Sequence, residues 1–446
     1  MDWRLIGKEA QMHMSRRMAI LLVILMSFSL VGCSSYGEPL RTGTTSVSTQ
    51  AGTTTKVTFT TTARTTAATK SAMEITPEMQ RTFLNGEVDV EDTMLPPRTI
   101  TISAVGDIMA HKDTFDAART GGTYDFTYMM EGVAYSVRDS DFVLGNLETT
   151  LSGADKGYTG YPDFNTPEQI ADALRGVLGI DLVSTANNHS LDRGYPGLCT
   201  TLDNLDARGI RHVGTYRSEE ASLEPLVVTI QDTKVGFINY TYGLNNPGGV
   251  KYKWSVNVTD QEAIRDMAQR TKDAGAEYII ALLHWGIEYE RTPTSAQREL
   301  ASWIFANTDV RLIIGTHPHV VQPIEEITVQ RNGQTKTGVV LYSLGNFTGS
   351  QLKAYTDTGM LATIRLLIAP GMENSSCVES IDCTMLYIDP NFGQEKGYRV
   401  VSMERAMRDY EQGADYLISA RDYEKMSGYM EAYREQLAVL PYVYVH

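Results

Sequence analysis

Six short motifs concentrate the side chains able to do chemistry. They are Gly106-Asp107, Gly145-Asn146-Leu147-Glu148, Asn187-Asn188-His189, His284-Trp285-Gly286-x-Glu288, Gly315-Thr316-His317-Pro318-His319 and Ser343-Leu344-Gly345-Asn346-Phe347. Imidazoles and carboxylates together suit Mn, Fe or Zn. The mixture also suits a pair of ions. Two cations ~3.5–4 Å apart repel strongly and need an anionic ligand with two oxygens between them. Glu148 or Asp107 can bridge in that way; a neutral imidazole cannot. Pro318 stiffens the backbone between His317 and His319, and in an extended segment both rings would fall on one face. Two metals could then take one ring each, or a single metal could take both.

Each motif follows a short apolar run: 102–105, 142–144, 182–184, 279–283, 312–314 and 339–342. Ligands of open α/β sheets bind outside the carboxyl ends of the strands, so six polar clusters at six such ends are expected to share one edge of the sheet. The predicted strands are 99–105, 142–144, 181–184, 226–230, 234–240, 278–283, 311–314, 339–342 and 360–368. Helix starts are expected at three capping boxes: Thr166 with Gln169, Thr259 with Glu262, and Thr294 with Gln297. Strands alternating with helices point to an α/β layer fold with a largely parallel core. The closely spaced runs 226–230 and 234–240 read as a hairpin, which makes the sheet mixed. After Ala369 the pattern weakens, and 403–437 reads as helix.

The chain has 446 residues and a formal net charge of -15. An acidic surface without a basic stripe argues against a nucleic-acid partner. Arg16 and Arg17 precede an apolar run, 18–31, that is too short for a confident membrane span and is followed by Leu30-Val31-Gly32-Cys33. That resembles a bacterial lipoprotein signal, with Cys33 acylated and the protein held extracytoplasmically on the cell membrane. The expected organisation is a signal at 1–32, a Thr/Ser-rich disordered tether at 33–97, a folded domain at 98–368 and a partly helical C-terminal extension at 369–446. In an oxidising compartment Cys377 and Cys383 could close a small loop, leaving Cys199 as a buried thiol.

From residue 99 to 347 the six motifs, in order and spacing, resemble the bacterial capsule-synthesis CapA family. That family is associated with poly-γ-glutamate and is similar in fold to calcineurin-like metallophosphoesterases. The resemblance implies a four-layer α/β/β/α sandwich with mixed sheets and two divalent metal ions. Asp107 would bind one ion and Glu148 would bridge both. Asn188, His284 and His317 would hold the second ion, and His319 would return to the first. His189 falls where a general acid for the leaving group is found, a task suited to imidazole. Asn146, Asn187, Glu288 and Asn346 read as turn residues, as supports behind the ligands or as substrate contacts. Two departures stand out. The first motif has no Asp-x-His, with His111 two places too far along, and Glu148 replaces the usual bridging Asp. The functions implied are a metal-dependent hydrolase or transferase acting on an anionic polymer such as poly-γ-glutamate, or a non-catalytic accessory of a capsule synthase and exporter. An extracytoplasmic metallophosphatase is a third.

Overall fold

The computed structural model describes residues 46–48, 54–56, 97–245, 250–351, 353–369, 377–390, 397–414 and 418–446. The expected signal, Cys33 and most of the expected tether lie outside the described residues. Within Met1–Asp92 the strands Ser46–Ser48 and Thr54–Lys56 pair antiparallel.

From Arg98 onward, besides a small hairpin of Arg119–Thr120 with Thr123–Tyr124, the described residues build two large sheets. Their strands are β1 (Arg98–Ile108), β2 (Phe142–Leu147), β3 (Leu182–Ser184), β4 (Arg211–Val213), β5 (Leu226–Ile230), β6 (Thr233–Thr241), β7 (Tyr278–His284) and β8 (Val310–Thr316), followed by β9 (Ile324–Arg331), β10 (Gln334–Leu341), β11 (Asn346–Thr348), β12 (Thr358–Ile368), β13 (Cys377–Asp389), β14 (Arg399–Ser402) and β15 (Val443–Val445). The longer helices are α1 (Gln169–Leu178), α2 (Gly194–Asp206), α3 (Gln261–Asp273), α4 (Ser295–Asn307), α5 (Met403–Glu411) and α6 (Ala420–Leu437).

The first sheet runs β14-β13-β12-β1-β2-β3-β4, with β11 beside β1 and β15 beside β13. Strands β1 to β4 are parallel, and β12 to β14 are added antiparallel. The second runs β9-β10-β8-β7-β6-β5, with a parallel centre and an antiparallel hairpin at each edge. Both sheets are therefore mixed.

Side-chain alternation sorts these strands into layers. On β7, Ile280 and Leu282 join Ile100, Ile102 and Leu144 of the first sheet in one core between the sheets. There Phe142 stacks on Phe237 across the sandwich, with ring centroids 5.4 Å apart. The other face of β7, Ile279, Ala281 and Leu283, packs with Ile264 of α3 and Ile304 and Phe305 of α4. On the far side Val143 and Val183 pack with Ile170 and Leu174 of α1 and Leu198 and Leu202 of α2. The result is the four-layer α/β/β/α sandwich.

Several local expectations change. Six of these strands were not foreseen: β4, β9, β11, β13, β14 and β15. The stretch after Ala369, read as a partly helical extension, adds three of them to the first sheet, and β13 is one of its longest strands. Helix 403–437 is broken into α5 and α6, because Gly413 takes a left-handed conformation (φ 65°) and Ser419 starts a new helix with Asp422 as its reciprocal cap. Of the three capping boxes, only Thr294 with Gln297 forms. Thr166 spends its hydroxyl on Thr149. Thr259 donates to the Thr241 carbonyl, and Asp260 caps α3 instead. Cys377 and Cys383 lie six residues apart on β13, both free. An extended strand separates such positions by ~20 Å, far beyond disulfide reach. Cys199 is half-buried rather than buried.

The six motif-bearing strand ends do not share one sheet. Three belong to β1, β2 and β3 of the first sheet and three to β7, β8 and β10 of the second.

Candidate metal centre

Backbone contacts pull the two sets of strand ends together. Asp107 lies opposite Asn146 in the β1–β2 ladder, and His284 lies opposite Thr316 in the β7–β8 ladder. The segment after β10 then crosses from one sheet to the other. Leu344 N–H donates to the Gly315 carbonyl, and Asp107 N–H donates to the Gly345 carbonyl at 2.9 Å. Gly106 is glycine for this reason. A Cβ there would sit 1.9 Å from the Gly345 carbonyl oxygen, so any side chain would force the sheets' ends apart.

Asp107, Glu148, His284, His317 and His319 all come together in the buried interior of this junction. Two groups of potential ligand atoms within 4.8 Å of one another share Glu148: Asp107–Glu148–His319 and Glu148–His284–His317. Asn188 joins the second, with Oδ1 2.7 Å from His284 Nε2. The His317-Pro318-His319 segment is not extended. Both histidines have positive φ, 100° and 59°, which splays the rings and gives one to each group. Residues held in such sparsely populated conformations cluster at functional sites.

The supporting contacts are dense. Asn146 Nδ2 donates to Asp107 Oδ1 at 2.8 Å, and its own Oδ1 accepts from Ser184. Asn346 Oδ1 lies 3.0 Å from His319 Nδ1. Thr316 Oγ1 lies 3.1 Å from His284 Nδ1, and so can fix the tautomer that leaves Nε2 free to bind. Asn187 shapes its loop, donating to the Leu147 carbonyl and accepting from the His189 N–H. Glu288 is exposed, yet its carboxylate forms a third group with His317 and His319. His111 belongs to none of the three groups. Its Nδ1 accepts from the Ser350 N–H and its ring packs edge-on against Phe164, a structural role.

His189 stands beside the centre with Nδ1 2.7 Å from Asp192 Oδ2, both side chains almost fully buried. Asp192 was missed by sequence reading, although its spacing three residues after His189 was available as a signal. Tyr242, missed as well, tilts over the His317 ring at 4.4 Å.

Electrostatics match metal binding. Burial, with help from His319, brings the His317 imidazole down to about 3, and burial holds His284 well below the ordinary range. Both are therefore neutral near pH 7, the form a metal requires. Burial and then neighbouring Asp107 push the Glu148 carboxyl well above the usual carboxylate range. Both Glu148 oxygens and His317 Nδ1 are buried without a hydrogen-bond partner among the described residues. Each such orphan costs about 1–3 kcal/mol, and three converging at one point are what a cation site requires. The donor set thus fits divalent ions.

Residues 101–351 match the family described as "Bacterial capsule synthesis protein PGA_cap". The capsule biosynthesis protein CapA of Bacillus anthracis is 26% identical over 265 residues, covering 56% of this chain and 60% of that protein. The PGA biosynthesis protein CapA of Bacillus subtilis (strain 168) is 28% identical over 264 residues, covering 56% and 64%. The match thus spans less than two thirds of the length of these relatives. Among solved structures, the NAD nucleotidase of Haemophilus influenzae superposes with a TM-score of 0.44 at 11% identity, covering 79% of this chain and 64% of that one.

Proposed function

The chain belongs to the bacterial capsule synthesis protein PGA_cap family, and from that premise we propose that it is a metal-dependent hydrolase or transferase acting on poly-γ-glutamate during capsule synthesis. The observation that carries this reading is Glu148: a fully buried carboxylate, shared by two ligand groups, with neither oxygen hydrogen-bonded. Asp107 and His319 would hold one ion, and Asn188, His284 and His317 the other, with Glu148 between them. Bound ions would supply Lewis acidity, activating water at neutral pH and neutralising charge that develops on oxygen.

The rest falls to the chain's own residues. Asn146 and Asn346 orient Asp107 and His319. Asp192, bonded to His189 Nδ1, steadies the ring so that Nε2 can present a proton to a departing group. Phe164, edge-on to His189 at 4.7 Å, excludes water from one side of that ring. Protein purified without chelator should contain about two transition-metal equivalents per chain by elemental analysis. One equivalent or fewer would refute the paired site.

The leader is part of the same proposal. Arg16-Arg17, the apolar run and Leu30-Val31-Gly32-Cys33 support acylation at Cys33 and anchoring on the outer face of the cell membrane. Cys33→Ala is expected to abolish labelling by a fatty-acid probe in cells. Unchanged labelling would refute the anchor.

A further inference from the structure

A polyanion approaching this acidic chain needs local positive charge beyond the ions themselves, and one side chain at the mouth of the centre is placed to give it. Lys353 is exposed, and its Nζ lies 3.5 Å from the centroid of the Tyr289 ring. The Tyr289 ring also lies 6.0 Å from that of His319, a candidate ligand. Tyr289 is itself pinned, with its N–H donating to the Pro318 carbonyl at 2.7 Å and a left-handed φ of 71°.

The Lys353 backbone is fixed to the same centre. Its carbonyl accepts from Thr356 N–H and Oγ1, at 3.2 and 2.8 Å. The Thr356 carbonyl accepts from Asn346 Nδ2 at 2.7 Å, and Asn346 Oδ1 meets His319. A continuous run of hydrogen bonds therefore links a candidate metal ligand to the lysine. Neighbouring cations are committed elsewhere. Arg291 lies over the Tyr355 ring at 3.9 Å and donates to Gln436, while Arg193 donates to Thr159 and the Asp163 carbonyl. Among the described residues Lys353 has no carboxylate partner. An ammonium lying on an aromatic face keeps donors free for an acceptor on its other side.

We propose that Lys353, laid on Tyr289, is the specificity residue that binds a substrate carboxylate beside the metal centre and so selects polycarboxylate chains over uncharged ones. This rests on the reading of the centre as a polymer-processing site. With Glu288 on the same rim contributing negative charge, Lys353 offsets a local repulsion that would otherwise oppose the polymer.

The test is calorimetric binding to the full chain loaded with Mn²⁺. The probes are a short γ-linked glutamate oligomer and the same oligomer with its side carboxylates amidated. Lys353→Met should weaken binding of the charged oligomer about tenfold, and Lys353→Arg should hold it within about twofold of the parent. Binding of the amidated oligomer should not change, metal content should stay equal, and added salt should narrow the difference between the parent and Lys353→Met. Parent-like affinity of Lys353→Met for the charged oligomer would overturn the proposal and leave the metal site untouched, reducing the lysine to a packing group on Tyr289. Loaded parent protein that binds neither oligomer would overturn the polymer reading itself.

Discussion

Glu148→Gln should leave the apoprotein folded, more heat-stable than the parent at neutral pH, and unable to retain its ions. The carboxylate is fully buried, both oxygens lack partners, and Asp107 lies close enough to push its pKa up further. Because the folded-state value lies above the unfolded one, near about 4.3, the contribution to stability is fully present below that pH and is lost as pH rises through the folded-state value. The amide removes this dependence. The variant's advantage in thermal midpoint should therefore grow between acidic and neutral pH. Ions reverse the order. At a hundredfold excess over Kd, binding stabilises a protein by about 2.7 kcal/mol, or ~3–4 °C for a chain of this size. The parent should gain that shift on loading and Glu148→Gln should not, with turnover lower by at least ~10³-fold. A variant that still retains both ions would remove Glu148 from its bridging position.

His189→Ala should separate catalysis from metal binding. A positioned general acid contributes ~10²–10⁴-fold, so kcat should fall by that factor while ion content stays at the parent level. The loss should be largest for poor leaving groups and shrink for leaving groups that need no proton, a pattern a merely structural histidine would not produce. Asp192→Asn should follow more weakly, about 10–100-fold, since it acts through the ring it steadies. If the parent binds polymer but turns nothing over, and His189→Ala binds as well as the parent, the centre serves as a carrier that bridges polymer carboxylates for a separate synthase.

The strands that carry chemistry were legible because they are buried on both faces. A parallel strand between helices and a second sheet reads as an unbroken apolar run, as in β7, where every residue is buried. The polar groups that follow such runs are conspicuous. Strands at the margins were not legible. In β9, Ile-Glu-Glu-Ile-Thr-Val-Gln-Arg alternates half-exposed and exposed side chains after buried Ile324, and β13 mixes Glu379, Ser380 and Asp382 with its apolar residues. Such patterns read as loops without knowledge of their neighbours. The ligand candidates were found by residue type and position. Of the groups behind them, Asn146 and Asn346 stood out because they lie within the same motifs, whereas Asp192 and Asn245 did not, because a carboxylate or amide behind a histidine is distinguished only by what it touches. Capping failed for a similar reason. A Thr-x-x-Glu/Gln pattern records what a side chain can do, and tertiary partners claimed two of the three.

The helix α6 connects the far end of the chain to the floor of the centre. Gln436 donates to the Val321 carbonyl, two residues beyond His319, and accepts from Arg291 in the loop that carries Glu288 and Tyr289. Tyr433 bonds Thr358 at the base of β12. Helix α6 and Thr358 both lie past residue 351, where the family match stops. The motifs thus carry the candidate ligands, while a buttress outside them packs against the segments that hold them. Transplanting residues 101–351 into another context would carry over the candidate coordinating groups without this backing, and ion retention by such a fragment is expected to be weaker than in the full chain.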